Sequence, residues 1–153
     1  MEFSLRAARR EDFEVLWTID QHCFPPGISY SRSELQAYMR RPGSFTLVAE
    51  SATLDKAMTL GFIVAEANSR GAGHIITIDV VREGRRFGIG SHLLGSAEAR
   101  LRAANCHAVM LEVAVNNLGA LAFYKRHHYG VLKTIPHYYP DGLDALVLGK
   151  RLS

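Results

Sequence analysis

Residues 78–94 read Ile-Asp-Val-Val-Arg-Glu-Gly-Arg-Arg-Phe-Gly-Ile-Gly-Ser-His-Leu-Leu. The chemistry open to this stretch is the holding of a phosphate. An apolar β-type run (Ile75, Ile76, Ile78, Val80, Val81) stops at a basic, glycine-rich turn, and an alanine-rich helical pattern follows. A strand that feeds a helix N-terminus in this way presents unpaired backbone N–H groups and the positive end of the helix dipole to an anion. Arg85 and Arg86 add formal charge, and Gly88 and Gly90 let the backbone approach a bulky diphosphate where a side chain would collide. Two other phosphate loops are excluded. No Gly-Lys-Ser/Thr follows, as a Walker A loop requires, and Leu93 stands where the dinucleotide fingerprint has its third glycine. What remains is Arg-x-x-Gly-x-Gly, carried by Arg85, Gly88 and Gly90. Taken alone, these six residues read equally well as a tight turn with two solvated arginines.

A second pair of residues suits proton transfer. Glu112 lies in an otherwise apolar strand pattern, Val109-Met110-Leu111-Glu112-Val113, and Tyr124 lies on the helical pattern that follows. If strand and helix pack as a β/α unit, both side chains reach one crevice. Making an amide from an amine and a thioester needs the amine to lose a proton and the sulfur to gain one. Glu112, directly or through one water, is placed to take the first, and Tyr124 to donate the second or to hydrogen-bond the departing thiolate. The bland alternatives are an outward-facing glutamate and a core aromatic.

These residues need elements to position them. Phe3 to Ala7 reads as a strand. Phe13, Leu16, Trp17 and Cys23 form a helical stripe over Asp12 to Phe24, ended by Pro25-Pro26-Gly27. Ser31-Arg32-Ser33-Glu34 is a capping-box pattern opening a second helix to about Arg40, with Leu35 and Met39 facing inward. Strands follow at Phe45 to Glu50, about Met58 to Glu66 (with Asp55-Lys56 in the turn between them), and His74 to Val81. A helix over Gly88 to Ala104 turns Ile89, Leu93, Leu94, Ala97 and Leu101 to the sheet. Ala108 to Val113 is a strand, and Asn117 to His127 a helix with Leu118, Leu121 and Tyr124 at helical spacing. Tyr129 to Ile135 and Asp144 to Lys150 complete the set. The order β-α-α-β-β-β-α-β-α-β-β predicts an α/β chain with a mixed sheet and helices on both faces. Ligands of open α/β sheets bind outside the carboxyl ends of the strands. The strand before the phosphate loop and the strand of Glu112 are natural neighbours there.

The bulk properties narrow the class. The 153 residues fit one domain, 1–153, and 48% hydrophobic with 22% charged residues is ordinary for a globular protein. No apolar run approaches the ~20 residues of a membrane span, and no apolar segment follows Arg6, Arg9 and Arg10 to make a signal peptide. A net charge of +3 without a basic block argues against nucleic acid as partner. Cys23 and Cys106 give no metal spacing, and a cytoplasmic setting is the expectation. His127 and His128 are adjacent on a helix and cannot chelate together, and His22, His74, His92, His107 and His137 show no ligand spacing, so no metal is expected.

Together the motifs resemble the GNAT N-acetyltransferase superfamily, and more closely its RimI-type branch of ribosomal-protein N-terminal alanine acetyltransferases. The resemblance rests on the Arg85–Gly90 loop, on Leu111-Glu112-Val113 followed by Asn117, Ala120 and Phe123-Tyr124, and on Tyr138-Tyr139-Pro140-Asp141-Gly142-Leu143-Asp144-Ala145. It implies a central, mostly antiparallel GNAT-like sheet and acetyl-coenzyme A as co-substrate. By the same resemblance the strand at Ile78, Asp79 and Val80 pairs through its backbone with the pantetheine arm. The N–H groups of Arg85, Arg86, Phe87, Gly88, Ile89, Gly90 and Ser91 hold the diphosphate. Asn117 steadies the pantetheine near the thioester, Glu112 is the base, and Tyr124 is the acid. Tyr138 and Tyr139, with Phe24, Pro25 and Tyr30 of the first interhelical segment, line a peptide groove; cross-strand aromatic packing is the simpler alternative for the tyrosine pair. Two positions depart from the family. His128-Tyr129 stands where Gly-Phe is usual, although histidine enters a left-handed C-cap less easily than glycine. The Phe24–Tyr30 segment also lacks the tryptophan often found in the N-terminal branch.

The acceptor follows from a free-energy comparison. Freeing the neutral amine at pH 7 costs roughly 1.4 kcal/mol for a peptide α-amine and roughly 4.6 kcal/mol for a lysine. A single carboxylate base matches the first more easily. The expected function is therefore acetylation of a protein N-terminus, a ribosomal protein among the candidates. A small amine such as an amino acid, polyamine or antibiotic remains an alternative acceptor, and coenzyme A binding without turnover a second alternative. The expected assembly is a monomer or weak homodimer, away from membranes.

Overall fold

The alternation of branched apolar residues in the middle of the chain builds a seven-stranded sheet. The computed structural model describes residues 2–52 and 57–152, so the turn expected at Asp55-Lys56 lies outside the described residues. In chain order the elements are β1 (Phe3–Ala7), α1 (Phe13–Cys23), α2 (Arg32–Arg40), β2 (Ser44–Ser51), β3 (Thr59–Ala67), β4 (Ala72–Val80), α3 (Ile89–Ala103), β5 (Ala108–Ala114), α4 (Leu118–Arg126), β6 (Gly130–Ile135) and β7 (Ala145–Arg151). The sheet order is β1-β2-β3-β4-β5-β7-β6. Every pairing is antiparallel except β4 with β5, which are parallel neighbours. The order of elements and the mixed, mostly antiparallel sheet are those expected from the sequence.

Each face of the sheet is covered by helices. On one side Leu16 and Ile19 of α1 and Leu35 of α2 pack on Val48, Phe62 and Val64. On the other the α3 stripe of Ile89, Leu93, Leu94, Ala97 and Leu101 meets Ile63, Ala65, Ile75, Val109 and Leu111. Ser31 caps α2 in the expected reciprocal way: its Oγ accepts from the Glu34 N–H at 3.2 Å, and Glu34 Oε1 accepts from the Ser31 N–H at 2.9 Å. Leu118 shares the helical spacing of Leu121 and Tyr124 but is 73% exposed, whereas those two reach the core.

Two irregularities open the sheet. β4 and β5 pair only over Ala72–His74 with Ala108–Met110, after which both strands run on without each other. β4 also bulges: Ala65 pairs Ile75 while the adjacent Val64 pairs Thr77, leaving Ile76 as the extra residue. The bulge reverses the alternation along β4, so that Ile75, Ile78 and Val80 pack toward α3 while Ile76 packs toward α1 and α2. The splayed strands leave backbone N–H and C=O groups of Ile76–Val80 facing a gap, where an extended ligand can pair with them.

Candidate active site

The gap between β4 and β5 is a cleft of about 810 Å³. One wall is Ile75–Ile78 and Val80 of β4, and the other is Leu111–Ala114 of β5. Its floor is α4, with Asn117, Ala120, Phe123 and Tyr124; its ends are the β4–α3 turn and the Tyr138-Tyr139 segment before β7.

The β4–α3 turn is an anion cradle built from backbone. Arg86 and Gly88 both take left-handed conformations, with φ of 69° and 79°. Gly88 is the N-cap of α3, a conformation for which glycine is the natural residue. The first helical bond of α3 runs from the His92 N–H to the Gly88 carbonyl, so the N–H groups of Ile89, Gly90 and Ser91 have no helical acceptor. A Cβ on Gly90 would stand 3.3 Å from the Phe123 ring, so the loop lies against α4 without space for a side chain. Arg85, Arg86 and Arg126 also line the cleft, though the Arg85 Nε reaches back to the Val80 carbonyl at 3.3 Å. Asn117 caps α4 by accepting from the Ala120 N–H at 3.2 Å and lines the cleft as well. Three residues expected at the site stand apart. Phe87 is 47% exposed and outside the cleft, Pro25 does not line it, and the Asp79 side chain is buried away from it, leaving only its backbone for a ligand.

Glu112 sits where the cleft meets a second, smaller one of about 400 Å³. Its Oε1 is 2.8 Å from the Nε2 of His74, which lies opposite Met110 in the short β4/β5 ladder and so shares a face with Glu112. The other ring nitrogen, Nδ1, is 3.7 Å from Glu66 Oε1, and Glu66 in turn pairs with Arg41 at 3.3 Å. Burial disfavours the charged imidazole, but the bond to Glu112 and the charges of Glu112 and Glu66 outweigh it, so His74 titrates above the ordinary histidine value. Glu112 is thus linked through His74 to the smaller cleft, a route by which a proton taken from the main cleft can leave. In the sequence His74 carries only the absence of ligand spacing, and nothing there marks its pairing with Glu112.

Tyr138 donates a long hydrogen bond of 3.5 Å to the same Glu112 oxygen, and its ring packs edge-on against Tyr139 at 4.9 Å. Burial and the nearby carboxylate raise the Tyr138 hydroxyl to about 12. Both tyrosines precede β7 in a loop and line the cleft, so the cross-strand alternative does not hold for them. Tyr30 faces them from across the cleft and donates to the Ile76 carbonyl at 3.4 Å, with Phe24 and Ile28 beside it. Tyr124 is 8% exposed, and burial, then Asp79 and Tyr139, push its hydroxyl well above the ordinary phenol value. It therefore keeps its proton at neutral pH and is a donor into the cleft. The helix that carries it ends in a full Schellman motif: the Tyr129 N–H bonds the Tyr124 carbonyl and the His128 N–H bonds that of Lys125, with His128 at φ 71°. Histidine does take the left-handed position usual for glycine.

Residues 9–129 match the family model described as the Acetyltransferase (GNAT) family. An uncharacterized N-acetyltransferase of Methanocaldococcus jannaschii is 40% identical over 102 residues, 59% of this chain and 65% of that protein. An N-alpha-acetyltransferase of Saccharolobus solfataricus is 27% identical over 163 residues, 99% of this chain and 94% of that protein. Among the curated relatives the chain matches, it spans 65% of the length of the first and 48% of the second. Among solved structures, Ard1 from Thermoplasma volcanium superposes with a TM-score of 0.87 at 25% identity over 99% of this chain and 98% of that one. The chain belongs to the GNAT acetyltransferase family.

Proposed function

We propose that this chain is an acetyl-coenzyme A-dependent N-acyltransferase whose acceptor is the α-amine of a protein N-terminus. The observation that carries the reading is the position of Glu112: it faces a cleft with a backbone anion cradle at one end and a tyrosine-lined acceptor side at the other, and His74 links it to an outer cleft. Relatives named N-alpha-acetyltransferase support the acceptor class. The residues present fit the coenzyme, since the free N–H groups of Ile89, Gly90 and Ser91 and the cationic Arg86 and Arg126 match a diphosphate. When bound, acetyl-coenzyme A supplies the activated thioester.

The roles follow from position. The backbone edge of Ile78–Val80 would hold the pantetheine arm, and Asn117 would help to steady it. Glu112 accepts the proton that the amine loses on attack, and His74 passes it toward the smaller cleft. Tyr124 donates toward the sulfur that leaves, so one proton departs at nitrogen and one arrives at sulfur. Tyr30, Tyr138 and Tyr139 orient an extended N-terminus with its amine at Glu112. The domain is proposed to be 1–153. A ribosomal-protein N-terminus is the acceptor in keeping with the RimI-type resemblance, and a cytoplasmic setting is in keeping with the free Cys23 and Cys106.

Coenzyme A release from acetyl-coenzyme A tests the reading on a plate of short peptides with free N-termini, N-blocked lysine peptides and small polyamines. Turnover confined to free N-termini is expected. Turnover confined to lysine or polyamines overturns the acceptor class, and none at all overturns the enzymatic reading.

A further inference from the structure

Two carboxyl groups that the reaction does not use are buried beside the site. Asp20 of α1 is 0% exposed and Asp79 of β4 is 1% exposed. Two charged carboxylates in such a place would repel with nothing to screen them. Their hydrogen bonds leave one arrangement. Asp20 Oδ2 accepts from the Tyr30 N–H at 2.8 Å, and Asp79 Oδ1 accepts from the Thr77 hydroxyl. Asp20 Oδ1 and Asp79 Oδ2 are buried with no hydrogen-bond partner among the described residues. A single proton on Asp79, donated to Asp20, satisfies both remaining oxygens and removes one of the two charges. Burial, with the bond and charge of Asp20, holds the Asp79 proton well above the usual carboxylate range.

We propose that Asp20 and Asp79 form a one-proton latch that positions the Phe24–Tyr30 acceptor segment against β4, the strand assigned to the coenzyme arm. The latch joins the two halves of the site. Asp79 follows Ile78 on β4, and Asp20 holds the backbone N–H of Tyr30. The Tyr30 carbonyl is held by two other α1 side chains, accepting from Trp17 Nε1 at 3.0 Å and Gln21 Nε2 at 2.6 Å. The Tyr30 ring then lies in the cleft with its hydroxyl on the β4 bulge at Ile76. Asp20 and Asp79 are positioning residues, because neither side chain lines the cleft. The ionisable groups around the pair are Cys23 on α1, Tyr124 on α4 and the Tyr30 hydroxyl, all of which keep their protons, with Arg85 of the turn beyond Cys23. Among the described residues no cation faces the pair to replace the shared proton when alkali removes it. The pair then carries two charges, and the hold on Tyr30 loosens.

The inference rests on the acceptor reading above, so its test includes a signal that needs no acceptor. Three full-length proteins are compared: the wild type, Asp79→Asn, whose amide still donates to Asp20, and Asp79→Val, which leaves Asp20 unanswered. The measurements are hydrogen-exchange protection of the Tyr30 amide, acceptor KM and kcat, and the acetyl-coenzyme A dissociation constant. In Asp79→Val, protection falls and acceptor KM rises about tenfold, the scale of an unsatisfied buried group. Asp79→Asn restores the wild-type Tyr30 protection and acceptor KM at pH 7. As the pH is raised until the shared proton is lost, the wild type loses Tyr30 protection, corrected for intrinsic exchange, and Asp79→Asn does not. Unchanged protection in Asp79→Val, or identical pH profiles for the wild type and Asp79→Asn, would each overturn the latch. If Asp79→Val does not fold, the pH comparison of the other two decides. If no peptide is acetylated, the acceptor reading fails while Tyr30 protection still judges the latch.

Discussion

Replacing Glu112 with glutamine tests the base and its wiring together. Glutamine keeps the volume and one carbonyl-type oxygen for His74 but cannot take a proton from the amine. General-base catalysis contributes about 10²–10⁴ in rate, so kcat at pH 7 is expected to fall by at least about 10². The acceptor sets how alkali compensates: an α-amine is about one-tenth neutral at pH 7, so raising the pH to about 9 recovers roughly tenfold, whereas a lysine acceptor would need a pH above about 10. The second readout is the partner. The His74 and Glu112 atoms are 2.8 Å apart and both side chains are partly wet, 34% and 20% exposed. At an effective dielectric of about 20, unit charges 4 Å apart attract by about 4 kcal/mol, which solvent screening at this exposure reduces to about 1–2 kcal/mol. With Glu112 gone, burial acts on His74 with only Glu66 opposing it, and its NMR titration moves down. Steady-state kinetics, His74 NMR and calorimetry of acetyl-coenzyme A make the assay. Unchanged turnover at saturating acceptor refutes Glu112 as base, an unmoved His74 titration refutes the pairing, and a weakened coenzyme shows that the variant disturbed the cleft instead.

Other consequences are as direct. Gly88→Val forces a β-branched residue to φ 79°, a strain of about 1–3 kcal/mol, so the acetyl-coenzyme A dissociation constant rises about tenfold or more; an unchanged constant by calorimetry would mean that the cradle is misassigned. Tyr124→Phe lowers kcat by about 10–10² while leaving coenzyme affinity within about threefold, and equal kcat would remove it as proton donor. The Asp79 proton is held more tightly in the fold than in the unfolded chain, so its contribution to stability is full below the ordinary value of 3.8 and is lost as pH rises through the folded value. Asp79→Asn therefore matches the wild type in acid and gains on it toward neutral pH, read by thermal melts across pH. Ser31→Ala removes one arm of the α2 capping box and costs about 1 kcal/mol, or about 2–4 °C in Tm; no change in Tm would show that the cap contributes nothing.

The parts of this molecule that were legible in its sequence are those set by local rules. The α3 stripe from Ile89 to Leu101 is buried at every expected position because period and length alone define that face. Ser31 with Glu34, and the glycine at Gly88, announce their backbone roles by residue type. Glu112 was visible as one carboxylate in an apolar strand. His74 was not, because its partner is 38 residues away and the two meet only through a three-pair parallel ladder that tertiary packing sets. Asp79 was read for its backbone alone. Its side chain finds Asp20 on another element, and nothing in either local sequence marks that meeting. Leu118 fits the helical spacing of α4 yet is exposed, since spacing alone does not say which turn of the helix meets the sheet.

The central claim is that the acetyl group goes to an α-amine. The most direct test is one peptide bearing both a free N-terminus and a lysine, incubated with the enzyme and acetyl-coenzyme A, with the product mapped by fragmentation mass spectrometry. A single acetyl on the terminal nitrogen, lost in Glu112→Gln, is the expected result. An acetyl on the lysine nitrogen, with the terminus left free, would contradict it.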